Sequence, residues 1–473
     1  MTKIIRKYKA MSNVGKATIW FLICAIIQKG IAFLTTPIFT RLMSTEQYGE
    51  YSLYNTWFQI LLMICSFRLD YAVFNKGMSK YEDKKSEYTL SMQTTTSIIT
   101  VFLLFIYLIF KEKINEFTSL STNLTLLLFL NVFFMNAISF WSIEKRYEYK
   151  YKSVVLVTIL LSIISTIMGV LVVINTELKG IGRILSIAIT QIIIGIIIYI
   201  YNIKCGKKMI GREYVKFALV FNLPLIPHYL SIYILEQSDK IMIQKMVGTS
   251  ALGIYSVVYS IGNTINIVTN SLNQAIIPWL YESLKKKKFE DLSRKLTEIF
   301  FIGVLIVFLF VLILPEGLKI LATNEYFEAI NVSSAIAIST IFVLIYGIYA
   351  TIEFYYDKNK FSMIASSIAA GLNIVMNYIG IKLWGYQAAG YATMLCYLIL
   401  MIIHVVYTNS VTMKEYKIKI IEDKKIILLI VILLTLALVC PFLYKNNIIR
   451  YIFIIICILI IIAKRKTIKN YKK

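Results

Sequence analysis

The chain has 473 residues, 58% hydrophobic and 16% charged, with a mean hydropathy of +0.71. Soluble domains run at about 45–50% apolar and about 25% charged, so a string of soluble domains with polar exteriors is excluded. A net charge of +24 would indicate a nucleic-acid binder in a soluble chain; here the question becomes where the 50 Lys and Arg sit relative to a bilayer.

A membrane span needs about 20 mostly apolar residues. The basic N-terminus (Lys3, Arg6, Lys7, Lys9) resembles a signal peptide, but the apolar run from Ala17 to Met43 is too long for one and reads as a first span. Spans are predicted at 17–42, 51–69, 88–110, 122–142, 153–174, 181–201, 214–238, 251–280, 297–314, 329–353, 361–381, 386–408, 426–443 and 448–463. The predicted fold class is therefore an all-α polytopic membrane protein with 14 transmembrane helices. The seventh span (Asn222, Pro224, Pro227, His228) and the eighth (Gly253, Asn263, Asn266, Asn270, Asn273) are the more polar, as expected of helices facing a cavity.

Charge tests this count. With the N-terminus inside, roughly three quarters of the Lys and Arg fall in the tails and alternate connections, as the excess of cations on the cytoplasmic side requires. Both termini are expected to be cytoplasmic. The run Lys285–Lys288 then lies in an inner connection, where it meets anionic lipid or enforces topology rather than binding nucleic acid.

A repeat links the halves. Arg41–Thr56, after the first span, aligns with Lys245–Ser260, after the seventh, so that Thr45, Gly49, Tyr51 and Ser52 meet Thr249, Gly253, Tyr255 and Ser256. Nearly the same offset superposes the sixth span on the twelfth. Six spans is an even number, so both copies enter from the same side, a transporter design with the substrate site between the halves. The expected domains are 1–212 (spans 1–6), 213–412 (spans 7–12) and 413–473 (spans 13–14). Pro37, Pro224 and Pro227 lie in the first helix of each repeat. They read either as hinges or as prolines merely tolerated in membrane helices.

Ionisable residues at depth are the candidate site. Lys29 lies mid-span, about 18 Å from either interface and too far to snorkel. An ammonium there costs about 2.5–3.5 kcal/mol unless it faces a wet cavity or a counter-ion. Arg41, Arg68 and Lys240, at span ends, read as further cavity cations or as interfacial anchors, the latter favoured for Arg68. Carboxylates within reach of the membrane are Asp70, Glu236, Asp239 and Glu353; Glu236 and Asp239 are three apart and share a helix face. That pair reads as a cation site or as a pair neutralised by Lys240. His228 is a candidate proton relay or a structural histidine. The six cysteines form no Cys-x-x-Cys, the two histidines join no metal-ligand pattern and no P-loop is present, so neither cofactor nor metal is expected. Aromatics at span ends form interfacial belts or, in a cavity, would stack on sugar rings.

The stretch Gln28–Arg41 followed by Tyr48-Gly-Glu-Tyr51, with Pro224–His228, Ser238-Asp-Lys240, Gly253-Ile-Tyr255, Asn273–Pro278 and Gly385–Gly390, resembles the Wzx-type polysaccharide repeat-unit flippases. These belong to the multidrug/oligosaccharidyl-lipid/polysaccharide (MOP) exporter superfamily, with the MATE drug exporters and the lipid II flippase MurJ. The resemblance implies two six-helix lobes in a V, alternating access, and a central cavity for a sugar–pyrophosphate headgroup. Two further C-terminal helices are similar to MurJ's tail-groove pair. It also implies a bacterial inner-membrane protein that is not an enzyme. Its substrate would be an undecaprenyl-pyrophosphate-linked oligosaccharide for capsule or O-antigen. By the resemblance Lys29, Arg41 and Lys240 would receive the pyrophosphate; from the residues themselves Arg68 is a further candidate cation, and Na⁺ or H⁺ would couple at Glu236, Asp239, Glu353 or His228. A polysaccharide polymerase and glycosyltransferases would be its protein partners. Teichoic-acid or lipid II-type flipping and MATE-like drug export are the rival readings.

Overall fold

The computed structural model describes residues 13–207 and 209–463; at Lys29 and a few other helical positions only the backbone is described. The described residues form α-helices and short 3-10 segments, with no strand among them. They fall into two compact units, Met1–Leu230 and Ser231–Lys473.

The first unit contains α1 (Asn13–Leu42), α2 (Thr45–Ser66), α3 (Ala72–Lys80), α4 (Lys85–Ile109), α5 (Lys111–Thr118), α6 (Thr122–Tyr147), α7 (Tyr151–Asn175), α8 (Lys179–Gly206) and α9 (Arg212–Asn222). A 3-10 turn, Leu223–Leu225, leads into α10 (Ile226–Met246), which passes from the first unit into the second. The second unit continues with α11 (Thr249–Asn263), α12 (Asn266–Lys285), α13 (Phe289–Leu321), α14 (Ile330–Tyr355), α15 (Asn359–Trp384), α16 (Ala388–Tyr416), α17 (Asp423–Lys445) and α18 (Asn447–Ala463).

All fourteen predicted segments are helical, but not all qualify equally as spans. Among the described residues eleven helices are long and apolar enough to cross a membrane, or twelve if the bent pair α11–α12 is one span. The second predicted span, α2, is not among them, and the apolar stretch of the last is short, Asn447–Leu459. α2 carries Glu46, Gln47 and Glu50 in its first turns, which dilutes its apolar character.

Local sequence explains the helix ends. Ser44 and Gln47 form a reciprocal cap for α2: the Gln47 N–H donates to Ser44 Oγ (3.2 Å) and the Ser44 N–H to Gln47 Oε1 (3.0 Å). Such caps satisfy two orphan N–H groups and contribute about 1 kcal/mol. At the matching point of the repeat, α11 begins at Thr249 after Gly248, whose φ of +128° only glycine adopts without strain. The two copies thus start a helix at the same residue with different chemistry.

The prolines diverge more. α1 runs unbroken through Pro37, whereas the seventh span breaks into α9 and α10 at the turn holding Pro224. The 40° bend between α11 and α12 needs no proline; it falls at Thr264–Ile265, between Asn263 and Asn266.

In the first unit a core of Leu69, Val73, Phe74, Met78, Tyr88, Met92, Phe140, Tyr214 and Ala218 locks α3, α4, α6 and α9 together. In the second, α14 is the buried central helix, packed against α11, α12, α13, α16 and α17. The C-terminal helices α17 and α18 lie on α13, with Leu312, Leu443 and Cys457 between them.

Candidate functional site

The candidate cations of the first unit have different surroundings. Lys29 lies on α1, but its side chain is outside the described residues. Arg41 is exposed at the end of α1, where Nη1 donates to the Pro37 carbonyl at 2.9 Å. Arg68 is half-buried beyond the end of α2, after Phe67; both are non-glycine residues in the left-handed region (φ 46° and 53°). That turn is held by the Asn222 side-chain amide, which donates to the Phe67 carbonyl. It carries the Arg68 guanidinium over the Tyr71 ring at 4.7 Å and within 5.7 Å of the Tyr229 ring. The two rings meet edge to face at 5.9 Å, and His228 adjoins Tyr229. An arginine held against aromatic faces is a positioned cation.

A fourth cation was missed. Arg183, at the start of α8, lies over the Phe39 ring at 4.0 Å and donates to the Ser165 carbonyl at 3.0 Å. Its position two residues inside the predicted sixth span was the available signal.

In the second unit, α10 presents Glu236 and Asp239 differently: Glu236 is exposed and Asp239 is 0% exposed. Asp239 Oδ2 accepts from the Tyr255 hydroxyl and Oδ1 from the Lys240 N–H at 2.7 Å. The Lys240 ammonium turns to Gln237 Oε1 (2.9 Å) and lies 4.8 Å from the Tyr259 ring centre. Beside it, the Ser238 hydroxyl donates to Asn373 Oδ1 (2.8 Å), which also accepts from Asn377 Nδ2 (2.9 Å). The buried Asn377 Oδ1 has no hydrogen-bond partner. Carboxylate, amide and hydroxyl oxygens, on Asp239 and on its neighbours along and beside α10, are the oxygen donors a hard cation takes. Among the described residues no three His, Cys, Asp or Glu cluster as a transition-metal site would require.

Glu353 lies elsewhere in the second unit. Its Oε1 is 2.8 Å from His404 Nδ1 and accepts from the Thr408 hydroxyl at 2.9 Å; its Oε2 accepts from the Ser362 hydroxyl at 2.6 Å. The group joins α14, α15 and α16. His404 is roofed by Tyr346 (5.7 Å) and Phe361 (5.8 Å). Sequence reading named Glu353 and passed over His404, because a pairing 51 residues apart leaves no local pattern.

Helices of membrane length, two compact units and polar groups buried within each define a class: a polytopic all-α membrane protein, whose fold is that of the MATE and MurJ structures. An inward-facing MATE-family multidrug resistance transporter of the MOP superfamily superposes with a TM-score of 0.67 at 12% identity, covering 85% of this chain and 100% of that one. The lipid II flippase MurJ, in an inward closed conformation, gives a TM-score of 0.65 at 17% identity, covering 96% of this chain and 99% of that one. The chain belongs to the polysaccharide biosynthesis protein family, whose model matches residues 14–284; the MatE model matches residues 224–379. The Lsg locus protein 1 of Haemophilus influenzae is 26% identical over 392 residues, 78% of this chain and 93% of its own length. A second Haemophilus influenzae membrane protein is 26% identical over 72% of this chain and 83% of its own.

Proposed function

We propose that the chain is a flippase moving polyprenyl-pyrophosphate-linked oligosaccharide repeat units from the inner to the outer leaflet of a bacterial cytoplasmic membrane by alternating access. The observation that carries this reading is the polysaccharide biosynthesis family match over residues 14–284. The MurJ likeness supports it, since it extends over 96% of the chain, against 85% for the inward-facing MATE transporter.

In this mechanism Lys29, with Arg41, Arg68 and Lys240, neutralises the pyrophosphate while the polyprenyl tail stays in lipid. A negative interior favours export of the anion by about 2.3 kcal/mol per charge per 100 mV. Na⁺ or H⁺ at the Asp239 patch, with Glu236 at its rim and Glu353 and His228 as further candidates, resets the empty carrier. The 3-10 break at Pro224 supplies a hinge in the seventh span, and Pro37 and Pro227 flank the same function in the first and seventh. Capsule or O-antigen units are the expected cargo, with a polymerase and glycosyltransferases as the partners that consume and supply them.

The test is translocation of a fluorescent undecaprenyl-pyrophosphoryl oligosaccharide in proteoliposomes. Wild-type protein should flip it, and Lys29→Ala should stop it at unchanged protein level while Lys29→Arg restores it. Normal flipping by Lys29→Ala overturns the cavity-cation role. Export of cationic drugs without lipid flipping would favour the MATE-like reading, to which the match at residues 224–379 lends its support.

A further inference from the structure

A cavity of about 630 Å³ in the first unit lies outside every group considered so far. It is formed where α3 meets α9, and its lining includes Lys80, Tyr81, Glu213, Lys216, Phe217 and Phe221. Its floor is rigid: Tyr81 packs edge to face on Tyr214 at 4.7 Å, above the fully buried Phe74, Met78 and Tyr88. The lysines are organised by rings. The Lys80 ammonium lies 4.6 Å from the Phe217 ring centre and 5.0 Å from that of Tyr81, and Lys76 lies 4.8 Å from Phe221.

The order of residues along α9 matters most. Glu213, Lys216, Phe217, Val220 and Phe221 follow the helical spacing of one face, so the wall passes from carboxylate to ammonium to aromatic and aliphatic surface. α9 opens the apolar stretch Arg212–Met246, and α3 is an amphipathic connecting helix that buries Val73, Phe74, Gly77 and Met78 while Lys76 and Lys80 stay exposed. The polar end of the cavity therefore sits where the chain enters the apolar layer, and Val220, 67% exposed, lies deeper.

We propose that this cavity binds an anionic glycerophospholipid with a hydroxylated headgroup, of the phosphatidylglycerol type. The phosphodiester lies between Lys80 and Lys216, the glycerol hydroxyls donate to Glu213, and the acyl chains follow Val220 and Phe221 into the bilayer. Two lining lysines against one carboxylate leave a net positive rim, with Lys76 close by over Phe221, and basic pockets beside membrane helices are where anionic headgroups bind. Glu213 sets the class: it repels a bare phosphate monoester and rewards a headgroup that brings hydroxyl donors.

The full chain, purified in neutral detergent, is titrated with dihexanoyl phosphatidylglycerol, phosphatidylcholine, phosphatidic acid and undecaprenyl phosphate, with binding read by native mass spectrometry. Phosphatidylglycerol should bind in preference to phosphatidylcholine. Lys80→Gln/Lys216→Gln should weaken it by about thirtyfold, taking about 1 kcal/mol for each lysine. Lys111→Gln/Lys113→Gln, at the short helix α5, should leave it unchanged. Glu213→Gln should narrow the preference for phosphatidylglycerol over phosphatidic acid. Equal losses in the two double variants, or no loss in Lys80→Gln/Lys216→Gln, overturns the site. Displacement of phosphatidylglycerol by equimolar undecaprenyl phosphate overturns the phospholipid assignment and makes the cavity a loading site for the polyprenyl carrier.

Discussion

His404 Nδ1 lies 2.8 Å from Glu353 Oε1, and each side chain is within a residue that is 2% exposed. With Thr408 and Ser362 also bonded to the carboxyl group, Glu353 ties α14 to α15 and α16. Removing one partner of such a buried group strands the others, which costs about 3–5 kcal/mol. Glu353→Ala should therefore lower the unfolding temperature in detergent well below that of Glu353→Gln, whose single amide oxygen, placed at the Oε1 position, still accepts from the Thr408 hydroxyl. A double-mutant cycle with His404→Ala should return a coupling of about 1–3 kcal/mol. Additive losses would mean that the two side chains do not hold each other.

The Asp239 patch carries a different expectation. Asp239→Asn keeps the shape of the side chain and both contacts, its amide oxygen accepting from the Lys240 N–H and its NH2 donating to the Tyr255 oxygen, but removes the charge a monovalent cation needs. Wild-type protein should gain thermal stability with Na⁺, and Asp239→Asn should lose that response while keeping its unfolding temperature in choline buffer within a few degrees. Asn377→Ala should weaken the response about tenfold in cation concentration, since it deletes the free Oδ1. A full cation response in Asp239→Asn places coupling elsewhere in the chain.

These two groups show where sequence reading reached its limit. Apolar runs announce helices directly: the predicted 153–174 is α7, Tyr151–Asn175, and the predicted 122–142 lies within α6. The repeat paired Thr45 with Thr249, and both begin helices, although the spans were read from 51 and 251; a capping serine or a glycine before each threonine is local information. Glu236 and Asp239 were legible as neighbours on one face, but not that Tyr255, from the next helix, buries only Asp239. The partners His404 and Arg183 come from other helices, and helical periodicity carries no record of which helix lies opposite. The connecting helix α3 is short and partly polar, so a scan for spans passes over it.

A close helix crossing in the second unit predicts an effect of size alone. Gly262 on α11 faces α14 so tightly that an added Cβ would collide with the Ser333 backbone, its Cα at 2.8 Å and its carbonyl closer still. The Ser333 hydroxyl donates across the same crossing to the Val258 carbonyl at 2.6 Å. Gly262→Ala must push the helices apart, which costs about 1–3 kcal/mol. Gly371→Ala on α15 meets nothing within 4 Å and should be neutral, or stabilising by up to about 1 kcal/mol through helix propensity. Thermal unfolding of the pair checks the crossing, and equal effects would contradict it.

Glu148, just beyond α6, provides a pH dependence outside the membrane spans. Partial burial alone would raise its carboxyl, but Lys150 at 3.0 Å and Lys145 at 3.2 Å outweigh that and hold it below the usual carboxylate range. A carboxyl lowered in the folded state binds protons more weakly there than in the unfolded chain. Its stabilisation is therefore full above the unfolded-state value, near pH 4.3, and is lost as pH falls towards the folded-state value. Glu144 shares Lys145 at 2.8 Å and accepts from the Ser86 hydroxyl at 3.2 Å, so the link also ties α6 to α4. Glu148→Gln should leave a shallower fall in unfolding temperature below pH 4.5 than wild type, with a small constant loss at pH 7. The two proteins should converge at low pH, where the wild-type carboxyl is protonated as well. Parallel pH profiles would show that the two lysines do not favour the ionised form.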